Sequence, residues 1–270
     1  MTFVERAAEL DSARPASFRL RAALRRGGLR VLRARRREPS PGLRVVHYHH
    51  VFADELDGFA RQVAFFRREF EPVSLTEAVR RLREQEIDGR ELVVTFDDGF
   101  RNQLEHAAPL LRDHGISGCF FLVNDLLSAG AEHAAEICRE RLHLPRPVEP
   151  LAWEDAPRLL DLGHEIGSHT RSHPNLAELR PADLHAELRE SRAELSRRLG
   201  TAIQHFSAPY GEAHRFTAEV SEAARAAGFE SCATAQRGVN TSGDDVFALR
   251  REHLIATWPV QDVRYFLTRS

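Results

Sequence analysis

Lysine is absent from this chain: all 38 residues counted as Lys or Arg are arginine. That excludes Schiff-base catalysis by lysine, a lysine general base, and the Walker phosphate loop, whose invariant cation is a lysine. Cysteine is nearly as scarce. Cys119, Cys138 and Cys232 are odd in number and show no C-x-x-C spacing. They support neither a disulfide framework nor a thiolate zinc site, and read as small buried hydrophobes of a reducing compartment. No apolar run reaches the ~18 residues that a bilayer-spanning helix needs. The opening stretch "MTFVERAAELDSARPASFRL" lacks the uninterrupted apolar segment of a secretory leader. The expected location is therefore cytoplasmic. A formal net charge of −2 gives the whole molecule no bias toward nucleic acid.

What charge there is lies unevenly. Residues 1–40 hold eleven Arg against Glu5, Glu9, Asp11 and Glu38, a net of about +7, which leaves about −9 for the rest. Within them, "SARPASFRLRAALRRGGLRVLRARRR" interleaves Arg with Leu, Phe, Val and Ala. Such a pattern suits a solvated tail or a peripheral contact with anionic lipid at the inner face of a membrane. "EPSPG" (38–42) reads as a linker. We therefore divide the chain into a basic segment with linker, 1–42, and one folded domain, 43–270. At 270 residues and 42% hydrophobic, the chain can bury a real core.

From Leu43 onward, strand and helix patterns alternate. "LRVVHYH", "EPVSL", "ELVVTF" (91–96), "SGCFFLV" (117–123), "HEIGSH", "IQHFSAP" and "FESCAT" read as strands. Helical periodicity occupies 55–70, 101–114, 181–199 (closed by Gly200) and 214–227 (closed by Gly228), and a terminal helix covers "PVQDVRYFLTR". Residues 124–150 read as irregular, and "VFALRREHLI" as extended. A repeated βα order implies parallel strands, and about seven of them in one run fit a barrel better than two open sheets.

Three stretches stand at predicted strand exits, where βα barrels collect their reactive groups. "VVTFDDGF" (93–100) ends an apolar strand in two adjacent carboxylates. Neighbours on extended chain point apart, so one of Asp97 and Asp98 can bind a cation while the other moves a proton; an ordinary helix N-cap explains them equally well. "GSHTRSHPNL" (167–176) sets His169 and His173 four apart, and Pro174 biases the segment toward a loop. Two imidazoles and a carboxylate with an open position form a known catalytic zinc pattern. "FSAPYGE" (206–212) forces a turn around Tyr210, where an exposed backbone N–H could hold an oxyanion. A fourth stretch, "RVVHYHHVF" (44–52), packs His47, His49 and His50 into four positions. They could be metal ligands, acid–base groups or bystanders. Alternation gives His47 and His49 one face and His50 the other.

In this order "TFDDGF", "SHTRSH" and "FSAPYG" resemble the three motifs of the polysaccharide deacetylase family, carbohydrate esterases with a NodB homology domain, over roughly residues 43–267. The resemblance implies an α/β fold, a single-domain distorted (β/α)7 barrel of parallel strands. It also implies a metal-dependent hydrolase that removes N-acetyl groups from an amino-sugar-containing saccharide. The divalent metal, Zn2+ in most members, would sit on Asp98, His169 and His173, with Asp97 as general base and the Tyr210 N–H at the oxyanion. One position departs from the family: Ser207 stands where an arginine normally orients the base. Arg251, in "LRREHL", resembles a late-strand arginine of some members and is the candidate substitute, with Arg250 as its neighbour. "HYHHV" is similar to the first strand of members that look circularly permuted, which makes His49 the candidate acid, leaves His47 and His50 supporting roles, and makes His253 a poor match to the usual late histidine. The alternatives are hydrolysis of another non-peptide C–N bond, such as a formamide or cyclic ureide, and an inactive carbohydrate-binding relative, which Ser207 favours.

Overall fold

A computed structural model describes residues 2–15, 17 and 40–268. Its centre is a parallel sheet. The strands are β1 (Arg44–Tyr48), β2 (Glu71–Pro72), β3 (Glu91–Phe96), β4 (Gly118–Leu122), β5 (Glu165–Ser168), β6 (His205–Ser207), β7 (Ser231–Ala233) and β8 (Glu252–His253). They run in the order β7-β6-β5-β4-β3-β1-β8, with β2 joined to β3 outside that path. A parallel bridge from Ala233 to Leu249, just ahead of β8, brings the two ends of the sheet together. The result is the distorted (β/α)7 barrel expected. It is distorted because the closing seam is a single bridge rather than a ladder.

Apolar sequence explains the middle of the barrel. Every residue of β1, β3, β4, β6 and β7 is buried, as strands covered on both faces require. Helix Leu56–Glu69 lays Phe59, Val63 and Phe66 on the sheet, at the helical spacing that the sequence shows. Helix Leu75–Arg83 begins on Ser74, whose side chain accepts from the Glu77 N–H. Helix Pro181–Leu199 starts with proline in its first turn and ends on Gly200 in the left-handed region.

Several elements differ from the sequence reading. The expected strand "EPVSL" is reduced to two residues, because Ser74 is taken as the next helix cap. Residues 124–150 are not irregular throughout: Ala131–Glu140 is a helix that buries Ala134, Ala135, Ile137 and Cys138. The helix read at 101–114 divides into a π-helical turn, Gln103–Ala107, and an α-helix, Ala108–Asp113. "VFALRREHLI" is a 3-10 turn at Val246–Ala248 followed by the short β8.

Residues near the N-terminus join the body. Val4 bridges Val148, the Ala7 N–H donates to Asp54, and Val4, Ala7 and Leu10 pack in a second apolar cluster with Phe52, Phe100 and Val123. Most of the Arg-rich run lies outside the described residues. No helix among the described residues is long and apolar enough to cross a membrane. All three cysteines are free and buried.

Candidate active site

Strands β1, β3, β5, β6 and β8 deliver their exits to one end of the barrel, and the candidate residues meet there. Asp98, His169 and His173 offer ligand atoms that all lie within 4.8 Å of one another. Nε2 of His169 is 3.6 Å from Asp98 Oδ1, and Nε2 of His173 is 3.7 Å from the same oxygen. These spacings exceed a hydrogen bond. They are close to the ~3.4 Å that separates tetrahedral donors placed about 2.1 Å from a zinc-sized ion.

The donor chemistry fits a divalent cation on three counts. Nδ1 of His169 lies 2.8 Å from the Ser207 carbonyl. A carbonyl only accepts, so Nδ1 carries the proton and the Nε2 lone pair faces Asp98. Burial lowers the pKa of His169 against the opposing pull of Asp97, and burial with the neighbouring His169 pushes His173 well below its ordinary value. Both imidazoles are thus held neutral, the state in which they ligate. Burial first, and then the charge of Asp97, raise the Asp98 carboxyl well above the ordinary carboxylate range. A buried carboxylate of that kind is ionised most readily with a cation beside it.

The backbone around these groups is strained. Asp98 (φ 76°), Thr170 (φ 70°), His173 (φ 56°) and Tyr210 (φ 61°) are non-glycine residues in the left-handed region. Conformations of this kind cost of order 1–3 kcal/mol each and gather at functional sites. Local bonds hold them. The His173 N–H donates to Thr170 Oγ1 at 2.9 Å, and the Thr170 N–H to Ser168 Oγ at 3.3 Å. Gly211 secures the Tyr210 turn: at φ +48°, a Cβ there would lie 2.4 Å from the Ala235 nitrogen.

Asp97 is treated differently from its neighbour. Arg251 grips it with two parallel hydrogen bonds, Nη1 to Oδ1 and Nη2 to Oδ2, both 2.8 Å. Arg251 is 1% exposed and Asp97 3%. The remaining guanidinium donors reach Thr234 O (2.7 Å), Thr95 Oγ1 (3.2 Å) and Ser207 Oγ (2.8 Å). Burial alone would raise the Asp97 carboxyl. The Arg251 charge, His169 and the Arg251 hydrogen bonds outweigh it and hold the group well below the ordinary range. Ser207 accepts a bond from the guanidinium of Arg251, so an arginine delivered from the β8 end of the chain serves where the β6 position lacks one. Arg250 points elsewhere, to Asp244 and the Val239 carbonyl.

The first-strand histidines divide as alternation requires. Tyr48 faces the helices, where its hydroxyl donates to Gln62 at 2.6 Å. His50 turns to Glu55 at 3.3 Å and rests on Phe52. His47 and His49 face the barrel mouth, with ring centroids 5.5 Å apart. Burial brings the His49 pKa down to about 4, although Asp97 pulls it up. Tyr210 stands with its ring edge-on to His173, centroids 5.0 Å apart, and its hydroxyl donates to the Arg141 carbonyl at 2.5 Å.

Two residues of the mouth hold places that the sequence does not give them. Gln103 donates to both the His49 and Asp97 carbonyls at 2.6 Å, and so ties β1 to β3. It lies in the π-helical turn, which helical periodicity conceals. His253 is the register partner of His47 across the β8–β1 pair, with stacked rings 4.9 Å apart. Only the strand order reveals that proximity.

Comparison with known proteins points the same way. A sequence model of the polysaccharide deacetylase family matches residues 84–232. That range includes Asp97, Asp98, His169, His173 and Tyr210 but not β1 or Arg251. The peptidoglycan-N-acetylglucosamine deacetylase of Bacillus cereus is 30% identical over 125 residues, which are 45% of this chain and 37% of the relative. The chitooligosaccharide deacetylase of a Bradyrhizobium species is 29% identical over 136 residues, 50% of this chain and 52% of the relative. The chain thus spans about half the length, or less, of these curated relatives. In fold, IcaB from Ammonifex degensii superposes with a TM-score of 0.70 over 86% of this chain and 99% of that one, at 23% identity.

Proposed function

Because the chain belongs to the polysaccharide deacetylase family, we propose that it is a metal-dependent N-deacetylase acting on an N-acetylated amino-sugar saccharide. The observation that carries this reading is the convergence of Asp98, His169 and His173 beside Asp97, a carboxylate that Arg251 keeps ionised. The names of the Bacillus cereus and Bradyrhizobium relatives support the substrate class.

A divalent cation, zinc by preference for two imidazoles and one carboxylate, would supply Lewis-acid activation of the acyl carbonyl and of water. The chain's own residues do the rest. Asp97, aimed by the fork of Arg251, accepts the proton of the attacking water. The Tyr210 N–H, turned outward by the left-handed backbone at that residue, donates to the oxygen that becomes negative. Amide hydrolysis moves one proton from water to the departing nitrogen. His49 is neutral in the resting pocket because its pKa is about 4. It can therefore receive from Asp97 the proton taken from water and hand it to the amine. An inactive relative was favoured by Ser207 alone, and the Arg251–Asp97 pair removes the reason for it.

Release of free amine from N-acetylglucosamine oligomers, measured before chelation, after chelation and after zinc is restored, tests this reading. We expect activity, its loss, and its return. Activity indifferent to chelation would reject the metal, and binding without release would favour the inactive relative. For the Arg-rich segment we propose contact with anionic lipid at the inner face of a membrane. Vesicle sedimentation that is unchanged on deleting residues 18–39 would reject it.

A further inference from the structure

The barrel mouth holds a second group of convergent nitrogen donors. His47 and His49 come from β1 and His253 from β8, and their ligand atoms all lie within 4.8 Å of one another. Ring centroids are 5.5 Å (His47–His49), 4.9 Å (His47–His253) and 5.0 Å (His49–His253). The function proposed above uses His49 and leaves the other two without a task.

This group is not explained by core packing. His47 is 4% exposed, and its Nδ1 is buried with no hydrogen-bond partner. An unpartnered buried polar atom costs about 1–3 kcal/mol, and histidine in a core is normally bonded to a carbonyl or carboxylate. Asp97, which also exits toward this mouth, spends both oxygens on Arg251. A neutral imidazole can turn one lone pair to a shared point, and an ion there accepts from all three rings at once.

We propose that His47, His49 and His253 form a second metal site, for a zinc-class divalent ion, separate from the Asp98 group, and that filling it inhibits deacetylation by occupying His49. Three neutral imidazoles bring no negative charge. They therefore select borderline ions such as zinc, nickel or copper and reject magnesium and calcium. Lacking the carboxylate that Asp98 gives the other group, the second site binds its ion more weakly than the first. The inhibition rests on the proposed function; the site does not.

The test is zinc content per chain after equilibrium dialysis of chelator-stripped protein against rising zinc. Wild type should bind two ions in two steps, and His253→Gln should keep only the tighter one. Asp98→Asn should keep only the weaker one, which guards against a His253→Gln that fails to fold. One ion in wild type, two in His253→Gln, or none in Asp98→Asn would each overturn the site. Amine release should fall at least tenfold as the second zinc binds to wild type and should hold steady in His253→Gln. If no amine is released by any preparation, the deacetylase reading fails while the zinc count still decides the site. If zinc inhibits both proteins equally, the inhibitory role fails.

Discussion

The two sides of the barrel mouth are built from the same side chain and differ by one carboxylate. On the β3–β5 side, His169 and His173 face Asp98; on the β1–β8 side, His47, His49 and His253 converge with no carboxylate among them. Burial pushes all five imidazoles toward the neutral form. What distinguishes the sides is therefore the anion, not the state of the histidines. A cation gains Coulomb attraction at Asp98 and finds only lone pairs at the three-histidine cluster. Between them, Asp97 is removed from competition by Arg251. Two adjacent aspartates thus have opposite characters: one is pinned in its ionised form by a guanidinium, and the other is costly to ionise until a cation arrives.

That contrast can be broken from several directions. The largest effect should come from the aspartates themselves. Asp97→Asn should lower turnover by about 10²–10⁴-fold, the range for removing a positioned proton acceptor, and Asp98→Asn should abolish it by removing a metal ligand. Only Asp98→Asn should lose the tightly held ion. Metal analysis that shows both variants equally depleted would erase the distinction. Next in size, Arg251→Gln leaves a buried carboxylate unpaired and should lower unfolding free energy by about 3–5 kcal/mol in urea titration. A change below about 1 kcal/mol would mean that the pair is not holding Asp97.

pH separates the sides more gently. A histidine with a depressed folded pKa is neutral when folded and charged when unfolded below about pH 6.5. The unfolded chain then binds more protons, so stability is fully present above pH 6.5 and is lost as pH falls toward the folded value, about 4 for His49. Asp98 has the opposite sign: its raised pKa makes ionisation costly as pH rises above about 3.9. Melting of metal-free protein should therefore fall in temperature from pH 6.5 to 4.5. The rise in melting temperature caused by zinc should be greater at pH 7.5 than at pH 5.5, and an equal rise at both would contradict the role given to Asp98. The smallest effect belongs to His50, on the far face of the same strand. His50→Ala should cost about 1 kcal/mol, the worth of one hydrogen bond, and leave turnover near wild type.

Much of this was legible in the sequence, because strand exits and alternation are local properties. "VVTFDD" announces a buried strand ending in carboxylates. The alternation of His47, Tyr48, His49 and His50 announces which rings share a face. The parallel barrel follows from the βα order and the resemblance. What stayed hidden depends on distant pairing. His253 meets His47 only because β8 pairs with β1, whereas Arg251, 154 residues from Asp97, was named only through the resemblance. The left-handed backbone of Asp98 and His173 had no glycine to announce it. The helix at Ala131–Glu140 was read as irregular because its apolar face is made largely of small residues, Ala134, Ala135 and Cys138.

The most direct measurement is the anomalous diffraction of a crystal given one equivalent of zinc per chain. The account predicts a single strong peak within about 2.0–2.2 Å of Asp98, His169 and His173. A first ion bound instead by His47, His49 and His253, or one bound at neither group, would contradict it.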